Sequence, residues 1–302
     1  MIEKSRLAGN FFTALTALAC LIIVAMVAIV IGNIVYHGVE KLSWSFLTKA
    51  PEAGMTSGGI FPAIFGTAAL VILMTIVVIP LGVATAVYMH EYASKRSRMV
   101  HLVRLAIQNL AGVPAIVFGL FGLGFFIEFI GRGIDKTLYG NQLVYGQPAI
   151  LWAALTMALL TLPTVVVATE EALRAIPQNY REVAYSLGAT RWQMIRRVVL
   201  PQAVGGILTG GILAVSRGSG EVAPVMFTGA AYFLPELPSR LHNQFMELGY
   251  HVYVMTTQSP DVEATKPILY ATVLVLLMLT FTLNFTAIMI RAQIRKRLRY
   301  GR

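Results

Sequence analysis

The sequence predicts an all-α membrane protein with six transmembrane helices. Three observations indicate this fold class: the chain is 57% hydrophobic and only 13% charged, its apolar residues form long segments, and its Lys and Arg residues lie mostly between those segments. A soluble domain has about 25% charged residues, and a helix needs about 20 apolar residues to cross a bilayer. Six segments qualify: residues 11–35, 63–89, 102–130, 148–168, 203–228 and 267–290.

The first segment is predicted to be an uncleaved helix. Lys4 and Arg6 precede it, as basic residues precede a signal peptide, but it exceeds the roughly 7–15 apolar residues of a signal sequence. We therefore divide the chain into three parts. They are an N-terminal helix with an outward linker (residues 1–59), a core of five further helices (60–291) and a basic cytoplasmic tail (292–302).

The basic residues predict that both termini lie in the cytoplasm. Of the 24 Lys and Arg residues, 17 lie near the two termini or beside the connections that follow the second and fourth segments. Six lie on the opposite flanks, and Arg217 lies inside the fifth segment. Basic residues concentrate on the cytoplasmic side of a membrane. The polar segment 170–201, between the fourth and fifth apolar segments, is therefore predicted to be cytoplasmic.

Composition and spacing argue against other classes of function. A net charge of +10 favours nucleic-acid binding only on a soluble basic surface, and here the charges flank apolar segments, so no nucleic-acid partner is expected. The five His residues lack metal-ligand spacing, which predicts no metal site. No motif places a Ser-His-Asp triad, so no catalytic residue is predicted. The single Cys20 excludes an internal disulfide.

Segment 170–201 is predicted to form two short helices joined by a glycine. Pro177 ends the fourth helix, because proline lacks an N–H donor. Asn179 is expected to cap the next helix, and Gly188 to end it in the left-handed conformation. Thr190 is expected to cap a second helix that ends at Pro201. The protrusion would carry an apolar group beside arginines: Tyr185, Leu187, Ala189 and Trp192.

The spacing in this segment resembles the EAA loop of bacterial binding-protein-dependent ABC importers, whose permeases have the type I fold. The chain has EVA at 182–184, Gly188 after three residues, and VVLP at 198–201 after nine more. In that family the loop docks on a separate ATPase dimer. With no G-x-x-x-x-G-K-[ST] motif here, ATP and Mg²⁺ are expected on those partners, and no cofactor in this chain. The resemblance implies these coupling residues: Glu182, Ala184, Gly188, Ala189, Leu200 and Pro201.

A pair of charged residues lies inside the fifth apolar segment. Arg217 and Glu221 are four residues apart, which predicts one helix face. Charges inside membrane segments are costly and are candidates for function. One interpretation is a structural ion pair between helices. The other is a substrate path, in which Arg217 offers its planar set of donors to an oxyanion and Glu221 keeps that site from binding too tightly.

The sequence around this pair resembles the permeases of phosphate importers, in particular their A-type subunit. SRGSGEVAPVMFT at 216–228 is similar to R-x-x-G-E-T-A-P-x-x-F-T, with Val222 in place of Thr, and AGVPAIVFG at 111–119 is similar to a stretch that both permease types share. The resemblance implies an importer of inorganic phosphate in the bacterial inner membrane. Its other parts would be a C-type permease subunit, an ATPase dimer and an extracytoplasmic phosphate-binding protein.

The residues alone leave other functions open. An arginine binds any oxyanion, so a permease for sulfate, molybdate or phosphonate is an alternative, and an ATP-independent anion channel is an alternative of a different class. The outward connection 231–266 would form either a docking surface for a binding protein or an interfacial helix. Pro80, Pro114 and Pro224 are expected to kink their helices. Gly206 and Gly210 are expected to allow close helix packing.

Overall fold

A computed structural model describes residues 2–52, 57–94, 97–259 and 262–300. Lys95, Arg96 and Arg302, which entered the charge count above, lie outside the described residues. A small antiparallel sheet pairs β1 (Pro51–Glu52) with β2 (Ser57–Gly58). The α-helices are α1 (Ile2–Gly38), α2 (Trp44–Thr48), α3 (Phe61–Val87), α4 (Arg98–Leu110), α5 (Ala115–Phe121), α6 (Arg132–Leu138), α7 (Ile150–Arg174), α8 (Gln178–Ser186), α9 (Arg191–Met194), α10 (Leu200–Gly218), α11 (Ala223–Thr228), α12 (Leu248–Thr257) and α13 (Val262–Tyr300).

Six helical segments of the described chain are long and apolar enough to cross a membrane, which confirms the predicted number. Some of them join consecutive helices through π-helical stretches: α3 continues through Tyr88–Tyr92, Gly122–Gly131 joins α5 to α6, and Ile195–Val199 joins α9 to α10. The six spans are Gly9–Lys41, Phe61–Tyr92, Ala115–Leu138, Ile150–Arg174, Arg191–Gly218 and Thr265–Arg297.

Helix α7 is the centre of the bundle. In the most apolar 18-residue stretch of α7, 67% of the residues are buried, whereas 0% are buried in that of α1. Helices α3 and α10 pack on α7, and α1 packs on α13 at the periphery. The side chains of Met74, Met157, Val165 and Ala214 are fully buried between these helices. The exposed apolar faces of the outer helices suit contact with lipid tails.

Two glycines allow α10 to approach α7 closely. A Cβ atom on Gly206 would lie 2.3 Å from the Cβ of Ala172, and one on Gly210 would lie 2.8 Å from the Cβ of Ala168. The neighbouring Gly205 has no atom within 4 Å of such a Cβ. The G-x-x-x-G pair therefore packs against α7, as predicted.

The third span does not run over residues 102–130 as predicted. Helix α4 ends at Leu110, and Pro114 is the N-cap of α5, so the span is Ala115–Leu138. A proline is tolerated at a helix start, where its missing N–H would have no partner. The expectation that Pro114 kinks a continuous helix is therefore wrong, because the helix is interrupted there. Pro80, by contrast, does lie inside α3.

The fifth span also differs from its predicted bounds of 203–228. Residues Arg191–Gly218 form one continuous helix of 28 residues, so Pro201 does not end the helix that begins after Thr190. The ring of Pro201 would clash with the carbonyl one turn earlier in a regular α-helix, but the preceding residues Ile195–Val199 are π-helical, which changes that turn. Pro224 lies in the first turn of α11 and does not kink a longer helix.

Candidate functional site

The charged pair of the fifth span lies at an interruption between two helices. Helix α10 ends at Gly218 and α11 begins at Ala223, so Glu221 lies outside both. The prediction of one continuous helix face is therefore wrong, although the two side chains do meet. The Nε of Arg217 lies 3.4 Å from Oε1 of Glu221, and the side chains are 38% and 27% exposed.

Arg217 keeps most of its donors free. Among the described residues, its only hydrogen bond is the one that Nε donates to Glu221. The terminal nitrogens Nη1 and Nη2 form no bond there. The preceding residue, Ser216, accepts a hydrogen bond at Oγ from the Nδ2 of Asn284 in α13 at 3.3 Å. A half-exposed guanidinium with free terminal nitrogens can donate two parallel hydrogen bonds to an oxyanion.

Neighbouring elements fix this interruption in place. Gly218 packs against Met74 of α3, and Gly249 in the first turn of α12 packs against Val222. Glu247 caps α12 by accepting from the backbone N–H groups of Gly249 and Tyr250 at 2.7 and 2.6 Å. Burial raises the pKa of the Glu247 carboxyl to about 7, although those N–H groups oppose the shift. Sequence reasoning missed Glu247, since a single Glu in a polar connection carries no signal.

The connection after the fifth span contains an ordered helix, α12. His251 of this helix is buried, and its Nδ1 has no hydrogen-bond partner among the described residues. Burial lowers the pKa of His251 to about 4. The helix packs on α13 and α3, which agrees with the packed-helix alternative for residues 231–266. The binding-protein docking alternative for the same residues stays a prediction.

The polar segment 170–201 has the predicted shape of two helices joined by a glycine. Gly188 has a φ of +77°, and the Gly188 and Ala189 N–H groups donate to the carbonyls of Tyr185 and Ala184. This is the Schellman pattern that ends a helix at a left-handed glycine. Thr190 and Gln193 form a complete capping box at the start of α9.

The start of α8 differs from the prediction. Pro177 is its N-cap residue and no side chain caps the helix, so Asn179 is not the cap but lies inside α8. Proline fixes φ near −65°, which prepares the chain for a helix without a side-chain hydrogen bond. The prediction that Pro177 separates this helix from the fourth span is confirmed, because α7 ends at Arg174.

The predicted coupling residues differ in exposure. Glu182 and Gly188 are exposed, Ala184 is buried, and Ala189, Leu200 and Pro201 are half-buried. Three large exposed side chains, Tyr185, Leu187 and Trp192, lie near the glycine. A groove of about 630 Å³ also borders α8, and it is lined by Pro177, Asn179, Tyr180, Val183, Ala184, Leu187, Val198 and Gln202. The protrusion thus combines apolar and charged groups that a protein partner can contact.

Arg181 differs from the other arginines of this segment, which are exposed. It is buried and forms an ion pair with Glu91, with a distance of 2.7 Å between Nη2 and Oε1. Glu91 is supplied by the π-helical end of α3. No sequence signal joins two residues 90 positions apart, so this pair could be found only from the fold.

A second ion pair lies nearby. The Nη2 of Arg104 in α4 donates to Oε1 of Glu170 at 2.5 Å, and Arg174 lies 3.8 Å from the same oxygen. These contacts hold α4 against the end of α7 that leads into α8. The described residues include no group of three or more His, Cys, Asp or Glu side chains that could hold a metal ion.

Comparison with known proteins identifies the class of this chain. Residues 78–300 match the family described as binding-protein-dependent transport system inner membrane component, and the chain belongs to this family. It is 31% identical over 273 residues to the probable ABC transporter permease protein YqgI of Bacillus subtilis (strain 168), covering 86% of this chain and 87% of the relative.

The resemblance to phosphate-importer permeases is confirmed by a more specific relative. The chain is 30% identical over 288 residues to the phosphate transport system permease protein PstA 1 of Mycobacterium tuberculosis (strain CDC 1551 / Oshkosh). The match covers 95% of this chain and 88% of that protein.

Solved structures share the fold. A chain of a bacterial ABC transporter involved in the import of the acidic polysaccharide alginate matches with a TM-score of 0.65 at 16% identity, covering 96% of this chain and 99% of that chain. A chain of the MetNI methionine ABC transporter matches with a TM-score of 0.54 at 16% identity, covering 78% and 94%. The predicted type I importer permease fold is thereby confirmed.

Proposed function

We propose that this chain is a permease subunit of an ATP-driven importer of inorganic phosphate, located in the bacterial inner membrane with both termini in the cytoplasm. The observation that carries the proposal is the state of Arg217. Its guanidinium lies half-exposed at an interruption of a membrane helix, with both terminal nitrogens free among the described contacts. Relatives named as phosphate permeases support phosphate as the cargo.

Glu221 gives the site its moderate affinity. A bare arginine inside a membrane would bind an oxyanion tightly and release it slowly, whereas a transport site must release its cargo. The single 3.4 Å contact to Glu221 neutralises part of the charge and leaves the outer donors free. Phosphate would therefore compete with Glu221 for Arg217 as it passes.

The polar segment 170–201 supplies the energy coupling. A dimer of ATPase subunits, which binds ATP and Mg²⁺, would contact the exposed part of α8 and the turn at Gly188. Closure of that dimer would move the segment and rock the membrane helices between outward and inward states. A C-type permease subunit would complete the path, and an extracytoplasmic phosphate-binding protein would deliver the anion.

Uptake measurements test the cargo and the role of Arg217. The complex is purified from its native cells through a tag on this chain and reconstituted in liposomes with ATP and labelled phosphate. We expect ATP-dependent uptake that Arg217→Ala abolishes. Arg132→Ala is the matched control, because Arg132 also forms an ion pair with a Glu four residues away, with 2.9 Å between its Nε and Oε2 of Glu128, but is 59% exposed. Uptake unaffected by Arg217→Ala would contradict the path role.

Two further outcomes separate the alternatives. Phosphate uptake that is unchanged without ATP would indicate a channel. If excess sulfate, molybdate or a phosphonate prevents the uptake of labelled phosphate, the protein is a permease for another oxyanion.

Copurification tests the ATPase contact. Leu187 is 82% exposed beside the turn at Gly188, so Leu187→Asp should reduce the amount of ATPase that copurifies with this chain. Leu138→Asp is the control, since Leu138 is 75% exposed at the far end of α6. Equal ATPase recovery from the two variants would contradict docking at this surface.

A further inference from the structure

Helix α8 meets the rest of the protein through a narrow face. Of its nine residues, only Arg181 and Ala184 are buried. Glu182, Val183 and Tyr185 on its other faces are exposed. Apart from the chain connections at its two ends, α8 can transmit movement to the membrane helices only through few buried side chains, of which Arg181 is the charged one.

Arg181 joins three segments at once. Its Nε and Nη2 donate to the carboxylate of Glu91 at the end of α3, with distances of 2.7–3.3 Å. Its Nη1 donates to the carbonyl of Ile176 at 2.9 Å, and Nη2 also donates to the carbonyl of Leu173 at 3.0 Å. Leu173 lies in the last turn of α7 and Ile176 in the connection to α8. The guanidinium thus binds the end of α3, the end of α7 and the start of α8.

A second arginine holds the same end of α3 from the other side of the glycine turn. The Nη2 of Arg191, the first residue of α9, donates to the backbone carbonyl of Glu91. Its guanidinium carbon lies 5.0 Å from the ring centroid of Tyr92, at cation–π distance. Residues on both sides of Gly188 are therefore bonded to the π-helical stretch Tyr88–Tyr92.

Stability alone does not explain a buried ion pair here. Replacing such a pair with apolar residues of similar size is often neutral or stabilising, because the pair loses its hydration. Apolar contacts have no preferred direction, so two helices that meet through them can slide past each other. Several hydrogen bonds from one planar guanidinium fix both the distance and the orientation of the helices. The Glu91–Arg181 pair suits a contact that must transmit movement without slipping.

We propose that Glu91 and Arg181 are positioning residues for energy coupling, which make α8 move as one body with the ends of α3 and α7. This inference rests on the proposed coupling function of segment 170–201. The exposed Glu182 and Leu187 contact the ATPase, and the buried Arg181 passes the displacement to the helices. Loss of the pair lets α8 follow the ATPase while α3 and α7 stay in place.

The test compares single variants with a double variant in the purified complex. Glu91→Gln is expected to lower the phosphate taken up per ATP hydrolysed by about tenfold, within the usual range of coupling between sites. ATPase recovery and ATP hydrolysis remain. Glu128→Gln, which removes the carboxylate of an exposed pair, leaves the ratio unchanged.

The double variant Glu91→Leu with Arg181→Met distinguishes coupling from stability. It leaves no unpaired buried charge, so the complex should regain the thermal stability that Arg181→Met alone loses. Because its contacts are not directional, uptake per ATP should stay low. A double variant that regains both stability and uptake per ATP would overturn the proposal and leave the pair a structural role.

The same purification separates this inference from the function on which it rests. A wild-type complex that contains no ATPase would overturn the proposed function and the inference together. A wild-type complex that couples, with a Glu91→Gln variant that behaves like Glu128→Gln, would overturn the inference alone.

Discussion

Two Arg–Glu pairs of this protein contain the same chemical groups but differ in burial and in hydrogen bonding. Arg181 and Glu91 are 8% and 5% exposed, and two guanidinium nitrogens reach the carboxylate while two backbone carbonyls accept further bonds. Arg217 and Glu221 are 38% and 27% exposed and share one bond of 3.4 Å. In the first pair all three guanidinium nitrogens donate to described groups, whereas in the second both terminal nitrogens are free among the described contacts.

This difference in burial and hydrogen bonding favours a different role for each pair: positioning of helices for one and anion binding for the other. A guanidinium whose three nitrogens all donate within the protein gains little from a passing anion, which supports the proposed positioning role of Arg181. A guanidinium with free terminal nitrogens gains hydrogen bonds when an anion arrives, which supports the proposed binding role of Arg217. Burial and bond count, which a sequence does not display, decide which arginine has which role.

The largest expected effect is on the stability of the protein, and it comes from a change in the buried pair. Arg181→Met leaves Glu91 buried without its cation, which costs about 3–5 kcal/mol. Arg217→Met leaves a half-exposed carboxylate that water can solvate, so its cost should stay below about 1 kcal/mol. Thermal unfolding of the purified complexes measures both. Similar unfolding temperatures for the two variants would show that burial does not distinguish the pairs.

Glu247 is another buried carboxylate, and it has no arginine partner among the described residues. In the described structure its carboxylate accepts from the backbone N–H groups of Gly249 and Tyr250, and burial raises its pKa to about 7. The proton therefore stabilises the folded state below about pH 4.5, and this contribution is lost as pH rises towards 7. Burial lowers the pKa of His251 to about 4, so its contribution is full above about pH 6.5 and is lost as pH falls.

The two contributions oppose each other between about pH 4.5 and 6.5, so the wild type should change little in stability there. In His251→Phe only the contribution of Glu247 should remain. The free energy of unfolding should then fall as the pH rises, by at most about 1.4 kcal/mol per pH unit. Glu247→Gln should show the reverse slope. Unfolding temperatures measured from pH 4.5 to 8 check the signs, and equal slopes in the two variants would exclude this assignment.

Helix α10 connects the two regions, since it carries Arg217 at one end and continues from the polar segment 170–201 at the other. Gly206→Ala places a methyl group 2.3 Å from the Cβ of Ala172 and should destabilise by about 1–3 kcal/mol. Gly205→Ala fills open space in the same helix and should stabilise by about 0.5–1 kcal/mol. Opposite signs in thermal unfolding are the expected result; a matching loss in both would contradict packing of this helix on α7.

The sequence was sufficient for the spans and for local helix signals. Apolar length predicts six spans, and Gly188 and Thr190 have the backbone roles that their types favour. The sequence does not reveal helix interruptions, because an apolar segment looks the same whether its helix is continuous or broken. Pro114 and Pro224 are predicted to kink their helices, yet each lies at the start of a helix.

Long-range polar contacts were not predictable in the same way. Glu91 lies at the end of one span and Arg181 in a connection two spans later, and only packing brings them together. The predicted partners Arg217 and Glu221 were found because they are four residues apart. Their contact is present although α10 ends at Gly218, between the two residues.

The smallest expected effect concerns Glu221, and it tests how this residue influences phosphate binding by Arg217. Glu221→Gln keeps the shape of the side chain and removes its charge, so Arg217 keeps its full attraction for phosphate. Tighter binding with slower release should lower both KM and kcat for uptake, each by less than about tenfold. Glu128→Gln should change neither, since its pair with Arg132 lies on an exposed surface. A raised KM with unchanged kcat would instead mean that Glu221 only orients Arg217, and no change in either constant would place Glu221 outside the path.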